Sequence, residues 1–387
     1  MGTNKTLETM EQMNQKHHTS KELDIYKNKR ILITGQTGFK GSWLTVWLLE
    51  LGAEIIGISN EDGNKEGIFQ QAKLNKKITA LHADIRNLSQ LKPIFTQYQP
   101  DIVFHLAAQA LVLKSYDEPL ATFETNILGT ANILECIRNT LSVKAAVIIT
   151  SDKCYKNKEW LHGYRETDEL GGSDPYSASK SCAEIITQSY VASFLQGKVN
   201  IATTRAGNVI GGGDWSKDRI VPDIIKALQK NSPIPIRNPN AIRPWQHVLE
   251  PLYGYMLLGS RLYTNPSYNG AWNFGPPTQS IVTVQEIVEK MSSIWGSGSW
   301  ENKSSIQSPP ETKILNLDST KSQLLLNWTP KLDLTTSLQL VVDWYKQYQQ
   351  IDAYTLCQKQ IADYMSLNQE IKNQNNSNQC NKEEEND

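Results

Sequence analysis

Short apolar runs alternate with longer amphipathic stretches through the first half of the chain. Arg30–Thr34 (RILIT), Glu54–Ser59 (EIIGIS), Ile102–Leu106 (IVFHL), Ala145–Thr150 (AAVIIT) and Asn200–Arg205 (NIATTR) have the length and β-branched content of buried strands. Helical stretches separate them, the first over Ser42–Leu51 (SWLTVWLLEL). This alternation predicts an α/β fold, a doubly wound parallel sheet with helices on both faces. After Arg205 the pattern breaks into loops rich in Gly, Pro and Trp, which predicts a smaller C-terminal lobe. That lobe closes with a helix near Leu334–Gln349, after the break at Trp328-Thr329-Pro330. Residues 1–27 are polar and are expected to form a mobile arm. Residues 366–387 are rich in Asn, Gln and Glu and carry too little apolar surface to offset their ordering entropy, so a disordered tail is expected.

With 387 residues, 39% of them hydrophobic, the chain can fill one large core and a second lobe. Its formal charge of −1, with basic residues scattered, argues against a nucleic-acid surface. No stretch approaches the apolar length of a membrane span, and the first thirty positions lack the apolar core of a secretion signal. The five cysteines form no CxxC pair, so neither a disulfide framework nor a metal site is expected. A cytoplasmic location is the expectation.

The first strand runs into Thr34-Gly35-Gln36-Thr37-Gly38-Phe39-Lys40-Gly41. Glycines at this spacing permit a tight turn, close approach of the backbone to a pyrophosphate, and close packing of helix on strand. The helix N-terminus offers free amides to the phosphates. A Rossmann-like dinucleotide-binding domain over 28–205 follows, with a substrate lobe over 206–365 whose boundaries interleave with it. Ser59-Asn60-Glu61-Asp62, after the second strand, holds no arginine for a 2′-phosphate, which favours NAD over NADP. Which of these residues meets the ribose stays open. Asp84 and Ile85 follow another short strand and either hold the adenine or form an ordinary turn.

Ser151-Asp152-Lys153 ends the fourth of these runs, and Tyr176-Ser177-Ala178-Ser179-Lys180 lies downstream behind Pro175. Tyr176 and Lys180 are four residues apart and share a helix face. A tyrosine of ordinary pKa near ~10 is a poor base at neutral pH. A neighbouring Lys180 ammonium and a cationic nicotinamide ring would favour its phenolate. Tyr176 then takes a proton from a sugar hydroxyl that Ser151 aligns, while hydride leaves the same carbon.

These segments, with Asp174-Pro175-Tyr176, Arg205-Ala206-Gly207-Asn208-Val209-Ile210-Gly211-Gly212-Gly213-Asp214-Trp215 and Ile242-Arg243-Pro244-Trp245-Gln246-His247-Val248, resemble the extended short-chain dehydrogenases that act on nucleotide sugars. The resemblance covers nearly all of residues 28–350 and is strongest to the branch that dehydrates CDP-glucose. It implies that Ser151, Tyr176 and Lys180 oxidise the sugar at C4 and that Asp152 and Lys153 eliminate water. Lys153 would remove the C5 proton and a protonated Asp152 would donate to the C6 hydroxyl. Related dTDP-glucose enzymes carry an Asp-Glu pair there, so Lys153 points to a CDP-sugar. Gly35, Thr37, Gly38, Phe39, Gly41, Asp84, Ile85, Ala107, Ala108 and Gln109 are the implied NAD contacts, together with Tyr176 and Lys180. Asn126 is implied as a tie between central strands. The resemblance further implies a homodimer built through Leu120–Arg138 and Tyr176–Leu195, and a role in deoxyhexose supply to O-antigen lipopolysaccharide.

In the lobe, Arg243 is the candidate diphosphate clamp, because a guanidinium meets phosphate oxygens in two places. Asn208 and Arg219 are candidate partners for the same group. Trp215 and Trp245 both qualify as the stacking partner of the base, or as packing. His247 reads as a structural histidine. Two other classes remain in view. A 4-epimerase needs the Ser, Tyr and Lys without an acid–base pair beside them. A non-catalytic NAD sensor would have lost one of the three.

Overall fold

The computed structural model describes residues 21–303 and 314–367. The five expected strands are β1 (Arg30–Thr34), β2 (Glu54–Ser59), β4 (Ile102–His105), β5 (Ala145–Ile149) and β6 (Asn200–Ala206), with β3 (Thr79–His82) between them. All pair in parallel. The sheet runs β3-β2-β1-β4-β5-β6 and gains a seventh strand, β10 (Gly270–Phe274), beside β6. Alternate strand residues face opposite sides. Ile31, Ile33 and Val147 enter one core with Trp43 and Leu252, while Leu32, Ala146 and Ile148 enter another with Ile133 and Ile137. The strand order reverses direction between β1 and β4, and in such sheets ligands bind at the carboxyl ends beside that point.

The remaining strands form the smaller lobe. β7 (Asn208–Ile210), β9 (Ile242–His247) and β11 (Ile281–Thr283) make one small sheet. β8 (Ile234–Ile236) pairs with β12 (Trp300–Asn302). The lobe is not separate in the chain, because β10 returns from it to the main sheet. Sequence periodicity does not reveal that crossover, since β10 has the same local pattern whichever sheet it joins.

Three boundaries differ from the sequence reading. The first helix begins at Phe39, not Ser42, because the glycine turn itself forms its opening. Residues 21–27 are not a mobile arm: Leu23 and Tyr26 are buried, and the Tyr26 hydroxyl donates to the Met256 carbonyl at 2.6 Å. The close fit uses Gly259, where a Cβ would crowd that hydroxyl. The final expected helix spans Leu334–Gln347, and residues 353–367 form a further helix. Expectations for residues 1–20 and for the tail from 368 onward lie outside the described residues.

Two buried carboxylates fasten these layers. Glu184, on the helix Pro175–Tyr190 that carries Tyr176 and Lys180, accepts from Nε and Nη2 of Arg205 of β6 with its two carboxylate oxygens, at 2.9 and 2.8 Å. Both side chains are fully buried. Thr150 and Thr203 hydroxyls donate to the same carboxylate. Arg205 also reaches the Tyr155 hydroxyl, which donates to Asn273 of β10. Removing one partner of such a pair strands the other charge, at a cost of roughly 3–5 kcal/mol.

Glu250 does the same for the C-terminal segment. Its carboxylate accepts the Lys331 and Leu332 amides at 2.6 and 2.7 Å and the Tyr364 hydroxyl at 2.7 Å. Burial raises it from an ordinary value near 4.5 to about 7. The folded protein therefore binds this proton more tightly than the unfolded chain. The contribution is fully present below about pH 4.5 and is lost as pH rises toward 7. Its total is on the order of 3 kcal/mol. Glu250→Gln keeps an oxygen for the two amides and gives Tyr364 a donor. Thermal unfolding of wild type and Glu250→Gln across pH 4.5–8 is expected to show wild type gaining on the variant as pH falls. Parallel curves would remove Glu250 as the source.

Candidate active site

One cleft of about 920 Å³ opens at the carboxyl ends of the main sheet, between it and the smaller lobe. Every residue expected to contact cofactor or substrate lines it. Gly35, Thr37, Gly38, Phe39, Gly41, Asp84, Ile85, Ala107, Ala108 and Gln109 line one arm. Ser151, Asp152, Lys153, Tyr176 and Lys180 line the centre. Asn208, Arg219 and Arg243 line the far arm.

The glycine turn is built for close approach. Gly35 has φ +76°, and a Cβ there would meet the Ala107 backbone at 2.8 Å; one on Gly41 would strike the Gly35 carbonyl. Gly38 caps the helix without a side chain, leaving the first amides free toward the cleft. The Thr37 and Ser59 hydroxyls bond each other at 2.8 Å. On the far side of this arm Arg86 is paired with Asp84 at 2.6 Å, which holds the Asp84 carboxyl below its usual value. No free guanidinium among these lining residues faces Ser59 and Glu61. These features fit a dinucleotide whose ribose lacks a 2′-phosphate. His105 is kept neutral by burial, down to about 3, and bridges Thr34 and Thr130.

Asn126 differs from its expected role. Its side-chain hydrogen bonds join the loop after β4 to the helix Pro175–Tyr190, through Gln109 and the Ser179 hydroxyl at 2.8 Å, and none of them goes to a central strand. Gln109 spends its side chain on Leu111 and Thr122, so its part in the cleft wall is to hold the loop.

At the centre, Asp174 caps the helix Pro175–Tyr190 by accepting from the Ser177 amide, and Pro175 takes the first position, where no amide is needed. Tyr176 and Lys180 follow one turn apart. The Lys180 ammonium donates to the Ile149 carbonyl at 3.2 Å, which fixes it under the end of β5. Burial lowers Lys180 to about 8. Burial also pushes Tyr176 up to about 12, offset in part by the neighbouring Ser151 hydroxyl. In the protein alone burial therefore outweighs the effect expected of Lys180. A bound nicotinamide would supply the positive charge that favours the phenolate. Ser151 caps the short turn Asp152–Cys154, and its hydroxyl donates to Asp152 Oδ1 at 2.9 Å. Burial raises the Asp152 carboxyl, offset in part by Lys153, so the environment favours a proton on it. Lys153 is half-buried beside it.

In the far arm Arg219 is held by Asp214 at 2.9 Å. Trp245 lines the cleft but is 2% exposed, with its indole N–H donated to the Val282 carbonyl, and Trp215 packs edge-on against Tyr345; both belong to the core, which favours the packing reading for each. His247 is buried and lowered to about 3, as a structural histidine should be. The sequence reading missed Lys40, Arg237 and Asn238, which also line the cleft. Lys40 lies over the Tyr255 ring at 5.9 Å and is lowered to about 7 by burial, then by Lys180 and Arg219. Its signal was present: a lysine set inside a glycine turn has no reason to be there for packing.

The sequence profile of the family described as GDP-mannose 4,6 dehydratase matches residues 32–341. CDP-glucose 4,6-dehydratase of Salmonella typhimurium is 44% identical over 356 residues, covering 89% of this chain and 98% of that protein. The dTDP-glucose 4,6-dehydratase of the same organism is 26% identical, covering 82% and 92%. Among solved structures, the dTDP-glucose 4,6-dehydratase of Streptomyces venezuelae with NAD and TYD bound superposes with a TM-score of 0.72 at 21% identity, covering 82% of this chain and 97% of that one. At that identity the likeness bears on the fold. By profile, relatedness and architecture, this chain belongs to the GDP-mannose 4,6 dehydratase family, within the extended short-chain dehydrogenases.

Proposed function

We propose that this chain is an NAD-dependent dehydratase that converts CDP-glucose to CDP-4-keto-6-deoxyglucose. The observation that carries the reading is the Asp152-Lys153 pair, set directly after Ser151 and facing the same cleft as Tyr176 and Lys180. The relatedness to the Salmonella CDP-glucose enzyme over nearly its whole length supports the choice of nucleotide.

A bound NAD, cradled by the glycine turn, supplies the hydride acceptor for C4 and the donor for C6. All other steps belong to side chains. Ser151 aligns the C4 hydroxyl and Tyr176 takes its proton. The new ketone acidifies C5, whose proton passes to the amine of Lys153. Asp152 gives its proton to the C6 hydroxyl, which leaves as water. Lys153 then returns its proton to C5. Arg243, Arg219 and Asn208 hold the diphosphate. Bidentate guanidinium contacts suit a diphosphate.

A homodimer and a cytoplasmic location complete the proposal. The helical runs Pro119–Arg138 and Pro175–Leu195 expose Leu120, Leu128, Ile185 and Phe194, apolar groups that suit a shared four-helix contact. Among the described residues no helix is long and apolar enough to cross a membrane. The product class places the enzyme in deoxyhexose supply for cell-surface polysaccharide such as O-antigen.

Three outcomes test the proposal. Incubated with CDP-glucose in deuterated water, the protein is expected to place solvent deuterium at C5 and the original C4 hydrogen in the new methyl group. An epimerised hexose with its C6 oxygen intact would refute it. Lys153→Ala is expected to bind NAD normally yet lose dehydration by roughly 10²–10⁴-fold; full turnover would take Lys153 out of the mechanism. Light scattering is expected to give twice the chain mass, with Leu128→Asp/Phe194→Asp shifting it to one chain. A wild-type protein of single-chain mass would exclude the dimer.

A further inference from the structure

The proposed substrate is longer than the part of the cleft assigned so far. Beyond its sugar and diphosphate come a ribose and a base. The cations placed at the diphosphate include Arg219, which immediately precedes the helix Ile220–Gln229. The cleft wall next to it is made by Val221, Pro222 and Asp223 of that helix and by Pro235, Arg237 and Asn238 in and after β8. The helix packs against β8, which brings the two sets of residues together. A base joined to the diphosphate at Arg219 has this end of the cleft to occupy.

One aspartate of the cleft wall stands apart from the others. Asp84 is paired with Arg86, Asp152 accepts from Ser151, Asp174 from Ser177, Asp214 from Arg219 and Asp218 from Arg237. Asp223 has no hydrogen-bond donor for its carboxylate among the described residues. Its amide closes the first helical turn on the Arg219 carbonyl at 3.2 Å. Asp223 thus stands one turn, roughly 5 Å, along the helix from Arg219. Its side chain is half-buried, and burial raises the carboxyl, offset in part by Arg237 and Lys226. An acid in a first turn ordinarily serves the helix dipole from the surface. This one lines the cleft, partly withdrawn from water. An acceptor so placed favours a ligand that brings it a donor.

Cytosine and uracil are alike in size and differ along one edge. Cytosine carries an amine at its 4-position, which donates, where uracil carries a carbonyl, which accepts. A carboxylate only accepts. It bonds the cytosine amine and repels the uracil carbonyl. A shift to meet the uracil N3–H would set the two flanking carbonyls against the same carboxylate. Asn238 cannot make this distinction, because its amide turns over to present either a donor or an acceptor. Asp218 is taken by Arg237, through its carboxylate at 3.2 Å and its carbonyl at 3.3 Å. We propose that Asp223 reads the exocyclic amine of the base and so selects CDP-glucose over its uracil and thymine counterparts. This rests on the dehydratase reading and places the choice of nucleotide at the base itself, whereas Lys153 acts on the sugar.

The test measures binding of CDP, UDP and 2-pyrimidinone riboside diphosphate, which is CDP without its amine, by calorimetry on the full chain with NAD. Wild type is expected to hold CDP roughly tenfold to a hundredfold more tightly than either of the others. In Asp223→Asn, CDP is expected to weaken and UDP to strengthen, while the amine-free compound changes least. The ratio of kcat/KM for CDP-glucose over UDP-glucose should fall with them. A carboxylate accepts from the guanine amine as well, so the comparison within pyrimidines is the one that isolates Asp223. An equal loss for all three ligands would assign Asp223 to the ribose or to the fold and overturn the inference, as would an unchanged CDP-to-UDP ratio. Wild type binding CDP no better than the amine-free compound overturns it without any variant. Failure of wild type to form the 4-keto-6-deoxy product from CDP-glucose rejects the functional reading instead, and the binding ratios still decide the role of Asp223.

Discussion

The active site depends on a buried ion pair that touches no part of the cleft's open surface. Glu184 and Arg205 have no solvent to share, so their mutual charge and the threonine and tyrosine hydroxyls around them must satisfy both completely. That requirement leaves one workable placement of the helix Pro175–Tyr190 against β5, β6 and β10. Tyr176 and Lys180 stand two and one helical turns before Glu184 on nearly the same face. Their positions relative to Ser151, at the end of β5, follow from where the carboxylate is pinned. Lys180 also draws on this charge, which opposes the loss of its proton under burial.

Burial then divides the chemistry among groups that begin alike. Asp152 and Asp84 are both carboxylates lining the cleft. Asp152 is enclosed and raised, with a proton favoured on it, while Asp84 is partly open and held ionised by Arg86. The first suits an acid that protonates a leaving hydroxyl, the second a fixed acceptor. Three lysines show a similar spread. Lys180 is anchored to a carbonyl, Lys153 lies half-buried beside the acid, and Lys40 is crowded by Lys180 and Arg219. A cleft this rich in cations suits a substrate with a diphosphate, whose charge would relieve the crowding.

The C-terminal region contributes to the same frame from outside. The helix over 353–367 reaches Glu50, at the end of the helix that begins in the glycine turn, through Tyr354 and Gln358. Through Tyr364 it reaches Glu250 on the helix Leu249–Thr264, which packs beneath β5 and β6. The dinucleotide arm and the sheet floor are thus tied to one distant segment by polar contacts at both ends.

Much was legible in the sequence, because local pattern reports on local physics. Buried parallel strands must be apolar over their whole length, so β1, β2, β4, β5 and β6 could be read nearly to the residue. Glycines that admit close backbone approach must sit at set spacing, and a Tyr and Lys that act together on a helix must sit four apart. What the chain could not declare by itself are pairings between segments far apart. Tyr26 beneath the helix Leu249–Thr264, β10 in the main sheet, Asn126 on the helix Pro175–Tyr190, and the burial of both Trp215 and Trp245 all follow from which surfaces meet. Protonation belongs with them. The composition of Asp152, Tyr176 and Lys40 is unremarkable, and only enclosure in the folded cleft separates each from its ordinary acidity.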